Sequence, residues 1–133
     1  MPEGPLTDRV RQLILNNIPS ILQLEILLHL YAARPRFLSL QETVRPLGIE
    51  LEPLKNQLEE LQRRGLVFRQ ASSVPAFAYA SLSPEQDAAV GELAEAYRSY
   101  RASVISQIYS RPTESIRAFA DAFRLRKDEE LTQ

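Results

Sequence analysis

Residues 48–70 read GIELEPLKNQLEELQRRGLVFRQ. Leu54, Leu58 and Leu61 recur at steps of four and three, the spacing that gathers side chains on one face of a helix. Pro53 suits the first turn, where a missing N–H costs no hydrogen bond, and Gly65 supplies a stop. The pattern predicts a helix over residues 52–64, followed by a short β-prone run at LVFRQ. With the leucines turned inward, the outward face carries Glu52, Asn56, Glu59, Glu60 and Arg63, with Lys55 at its edge. Glu50, Glu52, Glu59 and Glu60 lie along this helix, so its solvent side is acidic.

The chain on either side extends the pattern. Upstream, SLQETVRPLG predicts a short helix in which Ser39 and Glu42 form a capping box and Gly48 is the left-handed stop. Before it, SILQLEILLHLYAA (residues 20–33) is apolar nearly all round, as a central buried helix would be, with Ser20 as its cap. ARPRF ends that helix, because Pro35 disfavours helix at the residue before it. A first helix over residues 6–18 carries Val10, Leu13, Ile14 and Ile18, with Thr7 as cap.

Downstream, LVFRQ and AFAYAS read as two strands around the loop ASSVP. Ser83 and Pro84 then open a helix expected to run unbroken to residue 110, roughly 39 Å long. Its larger apolar residues, Val90, Leu93, Tyr97, Tyr100, Val104 and Ile108, form a near-heptad stripe. A last helix is expected after Pro112, with Ile116, Phe119, Ala120 and Phe123 on one side, ending in the charged RKDEELTQ.

Composition bounds the function. The chain of 133 residues fits one domain, 1–133, and 44% hydrophobic with 25% charged residues fits a folded, soluble protein. A formal net charge of -1 gives no general attraction to nucleic acid or membrane, so any DNA contact must rest on local charge. Cysteine is absent and there is one histidine, His29, so a zinc site of the usual kind cannot be assembled. His29 follows Glu25 by one turn, and a hydrogen-bonded pair is expected there. No apolar stretch approaches the roughly 20 residues of a membrane span, no leader pattern opens the chain, and a cytoplasmic location is the default. Neither a glycine-rich phosphate loop nor a nucleophile elbow appears. The expectation is a protein that is not an enzyme and needs no cofactor or metal.

The stretch SLQETVRPLGIELEPLKNQLEELQRRGLV resembles the winged helix-turn-helix of bacterial transcriptional regulators. Ser39, Leu40, Glu42, Val44, Leu47 and Gly48 match that family's first helix and turn. Ile49, Leu54, Leu58, Leu61, Gly65, Leu66 and Val67 match its buried positions through to the first wing strand. The flanking helices are similar to those of MarR-like regulators in architecture, although the Asp-x-Arg of that family's wing is absent from FRQASSVPAFAY. The resemblance implies a mainly α fold: a winged helix-turn-helix core at 20–82 with a two-stranded hairpin wing, plus an N-terminal helix (6–18) and two C-terminal helices (83–127) for dimerisation.

It implies a dimeric, double-stranded-DNA-binding transcriptional regulator with the helix at 52–64 in the major groove. Lys55, Asn56 and Gln57 would read bases, where the amides pair with adenine and lysine with guanine or phosphate. Arg36, Ser39, Gln41 and Arg69 would hold the backbone, and Arg34 and Arg45 are further phosphate candidates. The stripe Val90, Leu93, Tyr97, Tyr100, Val104 and Ile108 would join subunits. A small-molecule effector site would lie near the C-terminal helices, around Tyr97, Tyr100, Phe119 and Phe123. The rival expectation is a winged-helix protein–protein interaction module whose acidic helix meets a basic partner.

Overall fold

The computed structural model describes residues 6–110; the helix expected after Pro112, with Ile116, Phe119, Ala120 and Phe123, lies outside them. In chain order the elements are α1 (Asp8–Asn17), α2 (Ile21–Ala33), β1 (Leu38–Ser39), α3 (Leu40–Leu47), α4 (Leu51–Arg63), β2 (Val67–Gln70), β3 (Ala76–Tyr79), α5 (Pro84–Ser99) and α6 (Arg101–Ser110).

Helix starts follow the sequence chemistry. Thr7, Ser20, Ser39 and Ser83 each accept a backbone N–H three residues on, satisfying a donor that the helix itself leaves free. At α3 the box is reciprocal: Ser39 Oγ accepts from the Glu42 N–H at 3.1 Å, and Glu42 Oε1 accepts from the Ser39 N–H at 2.8 Å. The two turns around α4 use glycine where φ is positive, 63° at Gly48 and 77° at Gly65, a region that costs other residues a Cβ clash.

The core gathers round α2, whose Leu24, Ile26, Leu27 and Leu30 are fully buried. α4 contributes Leu54, Leu58 and Leu61, α1 contributes Val10, Leu13 and Ile14, and α5 contributes Val90 and Leu93 to the same cluster. No single helix among the described residues is long and apolar enough to cross a membrane.

Two features depart from the sequence expectation. The hairpin is part of a three-stranded antiparallel sheet of order β1-β3-β2, in which Leu38 pairs with Phe77 and Phe68 with Ala78. A two-residue strand is too short to leave a periodic signal. The long C-terminal helix is also broken. Tyr100 takes φ -135° and ψ 51°, and α6 begins anew at Arg101. The bend lets α6 pack on α1, burying Val104 and Ile108 to 0% and 3% exposure. Fully burying side chains of this size is worth roughly 1.5–3 kcal/mol each, enough to interrupt a helix at one residue.

Candidate nucleic-acid interface

α4 presents its first half to solvent. Leu51, Glu52, Pro53, Lys55 and Asn56 are exposed, while Leu54 and Leu58 anchor the opposite face. Beside it the α3 N-terminus carries exposed Gln41 and half-buried Ser39, and β2 carries exposed Arg69. Lys55 and Arg69 reach a common small recess between α4 and the sheet, lined also by Leu40, Glu59, Gln62, Pro75 and Phe77. The structure thus brings Lys55 and Arg69 together and places Ser39, Gln41 and Asn56 on the surrounding surface.

Gln57 is placed differently. It is half-buried, and its Oε1 accepts from Gln23 Nε2 at 2.8 Å. Gln23 is 1% exposed and its own Oε1 has no partner among the described residues. Gln57 therefore pins α4 onto α2 and does not stand on the outer face. The sequence signal was available in the spacing: Gln57 follows Leu54 by three residues and precedes Leu61 by four, which turns it toward the buried side.

Charge is handled locally. Lys55 Nζ lies 3.6 Å from Glu52, and an Arg36 nitrogen 3.8 Å from Glu42. Glu60 takes both Arg63 and Arg64, and Arg64 also donates to the Asn16 carbonyl at 2.8 Å. The Arg63 hydrogen bond, with Arg64 adding, holds the Glu60 carboxyl below its ordinary value. Glu42 is likewise lowered, chiefly by the Ser39 backbone N–H. Glu60 is thereby neutralised, whereas Glu50 and Glu59 stay exposed without an ion pair among the described residues. Exposed pairs of this kind are worth about 0–1 kcal/mol, so Arg36 and Lys55 can trade a carboxylate for a phosphate at small cost. Arg34 lies over the Tyr31 ring at 3.7 Å and donates to the Tyr31 carbonyl, holding it beside α2. Arg45 and Arg69 are exposed and form no ion pair among the described residues.

The C-terminal stripe packs inside the chain. Val90, Leu93, Val104 and Ile108 are buried within the single chain, and Tyr97 is half-buried, so Tyr100, 50% exposed, is the member with surface left for a partner. Tyr97 Oη donates to Glu25 Oε2 at 3.0 Å, and Arg101 reaches the same oxygen at 3.4 Å while lying over the Tyr97 ring. Burial and the Glu25 carboxylate raise the Tyr97 phenol above its ordinary value. This corrects the expected Glu25–His29 pair: a phenol and a guanidinium from the C-terminal helices take the carboxylate, and His29 Nε2 is buried without a partner among the described residues. Tyr100 lines the recess between α1 and α5; Phe119 and Phe123, expected beside Tyr97 and Tyr100 at an effector site, lie outside the described residues. Among the described residues no cluster of three metal-ligating side chains occurs.

No family model matches the sequence, and comparison with curated proteins finds no relative. Solved structures do match in fold. The Staphylococcus aureus MepR–DNA complex is similar with a TM-score of 0.54 at 17% identity, covering 94% of this chain and 86% of that one. MepR, a transcription regulator of the multidrug efflux pump MepA, gives a TM-score of 0.51 at 17% identity over 93% and 90%. A MepR mutant bound to an oligodeoxyribonucleotide gives 0.51 at 17% over the same shares. The chain therefore has the MarR-like winged-helix fold that its sequence resembles.

Proposed function

We propose that this protein is a double-stranded-DNA-binding transcriptional regulator that works as a dimer. One observation carries the proposal. The outward first half of α4, the α3 N-terminus and Arg69 of the wing lie side by side, in a fold shared with a regulator solved on DNA. In this arrangement Lys55 and Asn56 reach base edges, while Ser39, Gln41, Arg36 and Arg69 hold backbone phosphates. Gln57 sets the seat of α4 through Gln23. The surface offered to a second copy is the recess of 560 Å³ between α1 and α5, which includes Tyr100, Glu95 and Ser99. A two-fold there would present two α4 helices to neighbouring half-sites.

The test is fluorescence anisotropy on a mixed duplex pool at two salt concentrations, followed by selection of a preferred sequence. Asn56→Ala is expected to cost about 1–3 kcal/mol on the selected site and little on random duplex. Arg69→Ala is expected to weaken all sequences alike and lower the salt slope by roughly 0.9. A protein that ignores every duplex at low salt refutes the proposal.

A second function is favoured by exposed Glu50, Glu52 and Glu59: a helix face that meets a basic protein. Glu52→Gln with Glu59→Gln separates the two. The pair of changes raises nonspecific DNA affinity if α4 faces a groove, and weakens partner binding if α4 is a protein contact.

A further inference from the structure

Residues 80–83 join the wing to α5, the helix that borders the recess offered to a second copy. A link that short fixes where α5 starts, and other contacts must fix which way it points. The Leu82 N–H donates to Gln86 Oε1 at 2.7 Å and Ser83 caps the Gln86 N–H, so the first turn closes on the link. Burial of Val90 and Leu93 holds α5 to the core. Hydrophobic contact is non-directional, however, and allows rotation about that seat.

Two tyrosines supply the direction. Tyr79, at the end of β3, donates through its Oη to Asp87 Oδ1 at 2.6 Å. Asp87 and Gly91 are four residues apart, and therefore on one side of α5. At Gly91 the helix meets Tyr31 of α2, since a Cβ there would lie 3.0 Å from the Tyr31 Oη. The two phenol rings brace each other edge to face, with centroids 4.9 Å apart and planes at 88°. The Arg34 guanidinium lies over Tyr31 at 3.7 Å. Further along, Tyr97 of α5 donates to Glu25 of α2, so phenols tie α5 to the α2–β3 unit at two places. Hydrogen bonds weaken steeply as they leave line, and these ties resist the rotation that burial alone would allow.

Gly91 also lines the recess between α1 and α5. One residue of α5 thus touches both the unit that carries the reading helix and the surface offered to a second copy.

We propose that Tyr31, Tyr79, Asp87 and Gly91 are positioning residues that fix the angle between α5 and the reading unit, and so set the half-site separation this protein accepts on duplex DNA. The proposal rests on the reading of the chain as a dimeric DNA-binding regulator. With two copies joined along α1 and α5, the distance and rotation between their α4 helices depend on how each α5 leaves its own wing. A half-site out of place must then break a tie, and removing a tie lowers the preference by no more than that tie was worth.

The test uses inverted repeats of the half-site selected on duplex DNA, at the preferred separation and with one base pair added or removed. Fluorescence anisotropy reads them beside a duplex carrying a single half-site, and light scattering reports the mass of every variant. One base pair turns and shifts a half-site by about 35° and 3.4 Å, so the unchanged protein should bind the preferred separation best. Tyr79→Phe keeps the ring and removes the hydroxyl. It should narrow the gap between separations about two- to tenfold, the worth of one hydrogen bond, with single-site affinity unchanged. Asp87→Asn retains an acceptor and should keep the original preference. Gly91→Ala should lower affinity at the preferred separation, and adding Tyr31→Phe, which removes the crowded hydroxyl, should recover it. Equal loss at every separation, a preference untouched by Tyr79→Phe, or no recovery with Tyr31→Phe overturns the proposal, while single-site binding leaves the DNA reading standing. No single-site binding by the unchanged protein overturns both.

Discussion

Gly48 and Gly65 bracket α4, and replacing each by alanine separates two costs that a single substitution would merge. Both have positive φ, 63° and 77°, so each alanine meets left-handed strain of roughly 1–2 kcal/mol. A Cβ at Gly48 would meet nothing within 4 Å, whereas one at Gly65 would lie 2.5–2.7 Å from Cγ and both Cδ atoms of Leu82. Carbon atoms prefer about 3.5–4.0 Å, so the overlap is about 1 Å and Leu82 must turn away. Leu82 is 75% exposed, which permits the turn at a rotamer cost of about 0.5–1.5 kcal/mol.

Gly65→Ala is therefore expected to be less stable than Gly48→Ala by about that rotamer cost. With Leu82→Ala added, itself a surface change within about 0.5 kcal/mol, the gap should close. Urea denaturation at constant slope reads the difference, since about 1 kcal/mol moves the midpoint by roughly 0.3–1 M. Equal midpoints for the two glycine variants, or a gap that survives Leu82→Ala, would refute the packing argument for how α4 hands over to the wing.

Three further outcomes follow from the same geometry. Gln57→Ala leaves the amide of buried Gln23 without its partner, and should cost about 1–3 kcal/mol of stability by urea denaturation; a change below about 0.5 kcal/mol would mean that Gln57 is an ordinary surface side chain. Ser39→Ala removes the cap of α3 and should cost about 0.5–2 kcal/mol by the same measurement. Glu42 and Glu60 have folded values below the ordinary 4.5, so their stabilisation is complete above that value and is lost as pH falls through the folded values. Glu60→Gln should flatten the acid limb of a stability–pH curve, and an unchanged limb would count against the Arg63–Glu60–Arg64 cluster as its source.

The parts of this fold legible in sequence are those governed by local chemistry. Thr7, Ser20, Ser39 and Ser83 announced helix starts because a hydroxyl finds a free N–H three residues away whatever the rest of the chain does. Gly48 and Gly65 announced stops for a reason equally local. What escaped was decided across the chain. β1 exists because Leu38 and Ser39 find β3, and two residues carry no period. The stripe from Val90 to Ile108 continues across Tyr100 in sequence, and only the burial of Val104 and Ile108 against α1 ends the helix there. Glu25 was matched with His29 one turn away, but Tyr97, 72 positions on, reaches it first. At the candidate interface, the exposure of Lys55 and Asn56 followed from periodicity, and the same spacing turned Gln57 inward, but its partner Gln23 in α2 could not be read from it.

The interruption at Tyr100 has a consequence for how the chain keeps company. The apolar face that α6 lays on α1 is held by contacts that do not depend on the two helices sharing one backbone. If Tyr100 took helical angles, α5 and α6 would run straight, and Val104 and Ile108 would leave their own α1. The identical face on another molecule would then receive them. The bent chain and such an exchanged pair differ in one residue's backbone angles, the packing of α6 on α5 and the Arg101–Glu25 tie across the bend, and the entropy of bringing two molecules together. Concentration, acting through that one hinge, would set how many chains trade arms.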